Sequence, residues 1–123
     1  MGYDLHITRA EHWSDEDPAI SAQEWLAYVQ EDVELQLAGH NGPYFAVWSG
    51  KSTYPDPWFD WSDGRVHTKN PDPPMIEKAI AIAARLRASV QGDDGEVYLP
   101  DGKVQVEGVV DTSAAMDWRT WRS

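Results

Sequence analysis

Apolar and polar residues alternate from residue 3 to residue 8, in the string YDLHIT. Side chains on a β-strand point alternately to its two faces, so this alternation predicts a strand with one buried and one solvated face. After a polar stretch, Ser21 and Glu24 stand at the spacing of a helix capping box. The sequence therefore predicts an α-helix that begins near Ser21 and buries Trp25, Leu26 and Val29.

A second helix is predicted after the turn-forming string NPDPP. Asp72 is a suitable N-cap, and Pro73 suits the first helical position because that position needs no backbone N–H donor. Apolar residues then recur at helical spacing from Met75 to Val90. This spacing predicts one continuous amphipathic helix over that range.

The other apolar segments predict β-strands. Residues 33–37 alternate between apolar and polar side chains, and residues 44–49 are apolar on both faces, as in a central strand. Two Asp-Gly pairs, in residues 62–64 and 100–102, predict tight turns because these residues tolerate positive φ angles. The turns connect residues 58–61 to 65–69 and residues 96–99 to 103–110.

Together these elements predict one α+β domain over residues 1–123, with an antiparallel sheet of five or six strands and two helices packed on one of its faces. A length of 123 residues suits one domain. Residues 111–123 have no clear period. They are predicted to form either a short helix docked by its tryptophans or a loosely ordered end.

The net charge of −11 adds to this picture because it is unevenly distributed. Residues 1–34 hold nine acids and one base and so carry −8, while residues 35–123 carry −3. Such a field disfavours binding to nucleic acid or to an anionic membrane and favours a basic protein partner through electrostatic steering. The same charge also serves solubility, which is the simpler interpretation.

The chain contains no cysteine, which excludes disulfides, thiolate zinc sites and cysteine nucleophiles. Asp4, His6 and Arg9 interrupt the apolar core that a signal peptide would need. No apolar run is long enough to predict a membrane span. We therefore expect a cytoplasmic protein.

The histidines and acids do not form a recognisable metal-binding or catalytic motif. None of the histidines stands at a spacing at which two imidazoles share a metal ion, so we predict no metal and no cofactor. Asp4 and His6 share the polar face of the first strand, but no nucleophile motif accompanies them, and a solvated strand face is the simpler interpretation. The four histidines are His6, His12, His40 and His67.

Seven tryptophans are several times the usual share for this length. Trp58 and Trp61 are three residues apart and so face opposite sides of a strand, with Asp60 and Asp63 beside them. Aromatic rings rimmed by acids suit recognition of a basic protein surface, whereas packing into the core is the alternative. The predicted partner-binding residues are Asp15, Glu16, Asp17, Glu24, Trp58, Asp60, Trp61 and Asp63.

Several strings along the chain resemble a set of small bacterial proteins of the YDLHITR…VQGDDGEVY type. The strings are residues 3–9, 24–29, 46–48, 59–64, 69–72 and 90–98. Proteins of this kind resemble immunity proteins of bacterial toxin systems, including contact-dependent and type VI secretion systems. The resemblance implies a binding role and assigns no catalytic residue.

These observations favour an immunity or inhibitor protein that neutralises a basic toxin enzyme by blocking its active site. A carboxylate-rich surface can imitate a phosphate backbone, so a nuclease is a natural target. One alternative is a small enzyme whose site is assembled from Asp4, His6 and His67, with Asp60 beside them. Another is a structural protein that self-associates through an exposed sheet edge or through its tryptophans.

Overall fold

A computed structural model describes residues 3–105 together with Arg119. The predictions for residues 111–123 and for the end of the strand 103–110 therefore lie outside the described residues, Arg119 excepted. The helices are α1 (Ala22–Glu31) and α2 (Pro73–Leu86). The strands are β1 (Asp4–Thr8), β2 (Leu35–Leu37), β3 (Phe45–Trp48), β4 (Trp58–Ser62), β5 (Arg65–Lys69), β6 (Ser89–Gln91), β7 (Val97–Tyr98) and β8 (Val104–Gln105).

The strands of the described residues form one antiparallel sheet in the order β2-β3-β4-β5-β1-β6-β7-β8. The α+β prediction is confirmed, but the sheet has eight strands rather than five or six. The additional strand β6 lies directly after α2 and pairs with β1. β1 consequently has a hydrogen-bonded neighbour on both sides and occupies the middle of the sheet.

The first helix begins at the predicted capping box. Ser21 Oγ accepts a hydrogen bond from the Glu24 backbone N–H at 3.0 Å, and Glu24 Oε1 accepts one from the Ser21 N–H at 2.9 Å. Trp25 and Val29 are buried, as the spacing predicts, whereas Leu26 is only half-buried. The Trp25 indole N–H also donates to the Tyr44 carbonyl oxygen at 2.8 Å, so the buried ring satisfies its polar atom.

The second helix has the predicted start and an earlier end. Asp72 Oδ1 accepts a hydrogen bond from the Met75 N–H at 3.1 Å, which confirms the N-cap. The helix ends at Leu86 because Arg87 adopts a left-handed conformation with φ 57° and ψ 48°. Val90 lies in β6, so the prediction of a helix reaching Val90 is wrong. Val90 is buried in this strand as it would be in a helix, and apolar spacing does not separate the two.

The predicted strand 33–37 is shorter than its alternating pattern suggests. The Leu35 N–H donates to the Asp32 carbonyl oxygen at 3.0 Å, which forms a tight turn directly after α1. Val33 lies at the outside of this turn and is 98% exposed. Strand pairing therefore starts only at Leu35, opposite Trp48.

The sheet buries one face against the two helices. Leu5 and Ile7 of β1, together with Phe59 of β4 and Val66 of β5, belong to the same core cluster as the apolar residues of α1 and α2. Side chains alternate along each strand, so His6 and its neighbours in register lie on the opposite face. That opposite face carries the candidate chemistry.

Candidate functional site

Four polar side chains stand side by side across the face of the sheet opposite the helices. Asp60 of β4 pairs in register with His67 of β5, His67 pairs with His6 of β1, and His6 pairs with Gln91 of β6. Directly opposed residues of antiparallel strands have Cβ atoms about 4.5–5.5 Å apart. The strand order therefore assembles the acid and histidines that the enzyme alternative requires.

Trp13 covers the centre of this row. Its ring stacks on the imidazole of His6 with a centroid distance of 4.0 Å and an interplanar angle of 2°. The Trp13 backbone N–H donates to Gln91 Oε1 at 2.9 Å, and its indole N–H donates to the Asp93 carbonyl oxygen at 3.1 Å. His6 is consequently only 3% exposed, and the expectation of a solvated strand face is wrong at this position. The loop that follows β1 folds back over the sheet, which alternation within β1 does not reveal.

His6 makes its polar contact with Asp93, in the turn between β6 and β7. His6 Nε2 and Asp93 Oδ1 are 3.0 Å apart, and Asp93 Oδ2 accepts a hydrogen bond from the Asp4 N–H at 3.1 Å. Potential ligand atoms of Asp4, His6 and Asp93 all lie within 4.8 Å of one another. These three residues are the Asp4–His6–Asp93 cluster.

Burial lowers the pKa of His6 below its usual value, although the hydrogen bond to Asp93 acts in the opposite direction. His6 is therefore neutral at pH 7. A neutral imidazole that faces a carboxylate holds its proton on Nε2, which leaves Nδ1 as an acceptor. Among the described residues, no partner for that buried Nδ1 exists. Burial likewise lowers the pKa of His67, against the opposing effect of Asp60.

A second feature is an open groove beside the start of α1, with a volume of about 800 Å³. Glu16, Asp17, Trp61 and Asp63 all line it, and we call it the acidic groove. The three carboxylate residues are exposed, and none of them forms an ion pair with another described residue. Asp15 is exposed in the same loop, next to the groove lining.

The walls of the acidic groove are fixed by hydrogen bonds. The Trp61 indole N–H donates to the Ile20 carbonyl oxygen at 2.8 Å, and the Ile20 N–H donates to the Gly64 carbonyl oxygen at 2.8 Å. Gly64 has φ +89°, and a Cβ there would lie 2.8 Å from the Cβ of Ala19. Only glycine fits this contact without rearrangement, so the β4–β5 turn and the acidic loop are held together.

Glu24 does not line the acidic groove. Its carboxylate forms a two-point ion pair with Arg9, at 2.6 Å from Nη2 and 3.0 Å from Nη1. This hydrogen bonding to Arg9 lowers the pKa of Glu24 to about 2. Arg9 also donates to the carbonyl oxygens of Leu86 and Ala19. Glu24 therefore stabilises the junction between α1 and α2.

The structure thus divides the predicted partner-binding residues into three groups. Glu16, Asp17, Trp61 and Asp63 meet at the acidic groove, with Asp15 beside them, and Glu24 is paired with Arg9. Trp58 and Asp60 lie on the opposite face of the sheet. There Trp58 stacks on Phe45 at 5.1 Å and contacts His67 edge-on at 5.6 Å.

Sequence reasoning missed Trp13 and Asp93 as parts of the polar face. Asp93 belongs to the string QGDDG, which reads as a helix terminator, and its partner His6 is 87 residues away. The only available signal was the Asp4–His6 spacing, which places two potential ligands on one face of a strand.

Comparison of the chain with protein families, curated proteins and solved structures found no match. The resemblance to immunity proteins therefore stays a hypothesis. No helix in residues 3–105 combines the length and apolarity that crossing a membrane requires.

Proposed function

We propose that this chain is a non-enzymatic binding protein that neutralises a basic toxin enzyme by docking through the acidic groove and blocking the enzyme's active site. The observation that carries the proposal is the convergence on a single groove of one tryptophan and three exposed carboxylates that have no ion-pair partner among the described residues. The immunity role itself rests on the resemblance of the sequence.

The charge of the groove supports a basic partner. Glu16, Asp17 and Asp63 contribute three negative charges, with Asp15 adjacent, and Arg65 is the one basic residue of the described chain that lines the groove. The Arg65 guanidinium lies over the ring of Trp13, 5.3 Å from its centroid. Carboxylates that lack an internal partner remain available for lysine or arginine side chains of another protein.

The rigidity of the groove supports tight binding. Trp61 is held by its bond to Ile20 and by an edge contact with Tyr44 at 4.9 Å. A wall that is already ordered loses little conformational entropy when a partner docks. Tryptophan beside charged residues is also typical of the positions that contribute most to protein–protein binding.

The enzyme alternative receives less support from the same geometry. Asp4, His6 and His67 do share one face, yet Trp13 covers the His6 ring and Asp93 engages its Nε2 atom. A general base must reach the proton that it removes. In this arrangement Nε2 of His6 faces Asp93 and Nδ1 is buried, so neither ring nitrogen is free to take a proton from a substrate.

The test compares capture and kinetics for three proteins. The tagged wild type, the charge-reversed variant Asp15→Lys/Glu16→Lys/Asp17→Lys and a matched control are used to capture partners from a lysate of the source organism at low and high salt. The control Asp56→Lys/Glu77→Lys/Asp94→Lys changes the net charge equally at exposed carboxylates outside the groove. Captured protein is then identified and its association rate is measured.

We expect the wild type and the control to capture the same basic enzyme and to inhibit its activity at equimolar concentration. The groove variant should associate with it at least about tenfold more slowly, and its association rate should depend less on salt. Equal association rates for the groove variant and the wild type would exclude the groove as the docking site. Capture without inhibition would exclude the neutralising role.

A further inference from the structure

The Asp4–His6–Asp93 cluster places one imidazole nitrogen and two carboxylates at one point of the surface. Asp4 and His6 are two residues apart on β1, so both side chains point to the same face. Asp93 reaches them from the turn after β6, on the adjacent strand of the sheet. Imidazole and carboxylate are the commonest ligands of borderline divalent cations in proteins that lack thiolates.

The distances suit a shared ion. Two ligands that lie about 2.1 Å from one Zn²⁺ ion are roughly 3.0–3.4 Å from each other at octahedral and tetrahedral angles. His6 Nε2 and Asp93 Oδ1 are 3.0 Å apart, and the three potential ligand atoms fall within 4.8 Å.

The surroundings hold His6 in place. Trp13 stacks on the ring and is itself fixed by Gln91 and by the Asp93 carbonyl oxygen, so His6 cannot turn freely. The side chains of Asp4 and Asp93 are 33% and 38% exposed, which leaves an open approach for an ion and for a water ligand. His6 therefore supplies one buried nitrogen ligand of fixed orientation, and Asp4 and Asp93 supply two accessible carboxylate ligands.

We propose that the Asp4–His6–Asp93 cluster binds one divalent transition-metal ion of the Zn²⁺ class, with a water completing its coordination. This site lies on the face opposite the helices and is independent of the proposed docking function. The ion replaces the hydrogen bond between His6 Nε2 and Asp93 Oδ1 as the link between β1 and the β6–β7 turn. Nε2 can coordinate only in the tautomer that carries the proton on Nδ1, so binding transfers the ring proton of His6 from Nε2 to Nδ1.

Isothermal titration of the full chain with ZnCl₂ at pH 7 tests the proposal. We expect one saturable site in the wild type and an affinity weaker by about tenfold or more in Asp93→Asn and in Asp4→Asn. Both residues are partly exposed, so these variants are expected to fold, which circular dichroism checks. Asp94→Asn and His12→Gln are the matched controls, since each removes a neighbouring potential ligand outside the cluster. Both should bind as tightly as the wild type.

Two further readouts locate the ion. Co²⁺ should give visible absorption bands in the wild type that disappear in Asp93→Asn. Lys69 Nζ lies 3.5 Å from Asp4 Oδ1 and repels a cation, so Lys69→Gln should tighten Zn²⁺ binding about two- to fivefold. Absence of a saturable site, equal binding by Asp93→Asn, or loss of binding in His12→Gln would overturn the assignment.

Discussion

Asp72 is a fully buried carboxylate that connects two separate parts of the chain. Its Oδ2 atom accepts hydrogen bonds from Ser52 Oγ at 2.8 Å, from the Thr53 N–H at 2.6 Å and from Thr53 Oγ1 at 3.0 Å. Its Oδ1 atom caps α2 through Met75. Burial acts to raise the pKa of Asp72, but these hydrogen bonds outweigh it and hold the pKa below its usual value. The charged form is therefore the one that stabilises the fold.

We predict that Asp72→Ala lowers the free energy of unfolding by about 3 kcal/mol, because the helix loses its cap and three donors lose a charged acceptor. Urea unfolding at pH 7 measures this difference. A carboxylate with a lowered folded-state pKa stabilises above its unfolded pKa of about 3.9 and loses that contribution as pH falls through the folded value. The difference between variant and wild type should therefore shrink in acid. The control is Asp56→Ala, an exposed change in the β3–β4 loop that also contains Ser52 and Thr53. It should stay within about 0.5 kcal/mol of the wild type.

At the scale of elements, the end of α2 depends on one left-handed residue. Arg87 has φ 57° and ψ 48°, a conformation that costs residues with a Cβ about 1–2 kcal/mol and costs glycine much less. Its side chain is exposed, and no hydrogen bond or ion pair of that side chain is present among the described residues. The strained backbone at this position is therefore independent of side-chain contacts.

We predict that Arg87→Gly raises the free energy of unfolding by about 0.5–1 kcal/mol. Arg85→Gly, two residues earlier and inside the helix, should lower it by about 1 kcal/mol, because glycine weakens a helix interior and the exposed ion pair of Arg85 with Glu31 contributes little. Thermal or urea unfolding of the two variants compares the same substitution in two backbone conformations. Destabilisation of equal size in both would contradict the role of the left-handed position.

The elements themselves could largely be predicted from the sequence, since capping residues and apolar spacing are local signals. Ser21 and Asp72 begin their helices as predicted because a cap is defined by residues three positions apart. The boundary between α2 and β6 could not be predicted in this way, since Val90 is buried in either element. The local pattern indicates that Val90 is buried. Whether it is buried in a helix or in a strand depends on the left-handed conformation of Arg87, which ends α2.

The candidate sites were less predictable than the elements because they depend on distant contacts. The acidic residues of the groove are visible as a charged stretch, but their meeting with Trp61 and Asp63 requires the loop after β1 to contact the β4–β5 turn through Ile20 and Gly64. His6 and Asp93 are neighbours only because β6 pairs with β1. Neither contact leaves a pattern in the nearby sequence.

At the scale of the whole molecule, the net charge of −11 opposes compaction through mutual repulsion of the carboxylates. We predict that raising NaCl from about 10 mM to about 0.3 M increases the free energy of unfolding by about 1 kcal/mol, because salt screens that repulsion. Urea unfolding at each salt concentration is the measurement. The variant Asp15→Lys/Glu16→Lys/Asp17→Lys has a net charge of −5 and should show a smaller increase. A decrease with salt would indicate that the five ion pairs among the described residues outweigh the repulsion.

The central position of β1 has a consequence for how a newly made chain acquires its structure. The ribosome synthesises β1 before its partners β5 and β6, which begin only at Arg65 and Ser89. About 60 residues separate the end of β1 from the end of β5, which takes roughly 3–12 s at ordinary elongation rates. During that delay Leu5 and Ile7 lack the neighbouring strands and the helix α2 that enclose them in the folded protein. Residues 1–34, which include β1, carry a charge of −8. Nascent chains on neighbouring ribosomes therefore repel one another until β1 is enclosed by its partner strands.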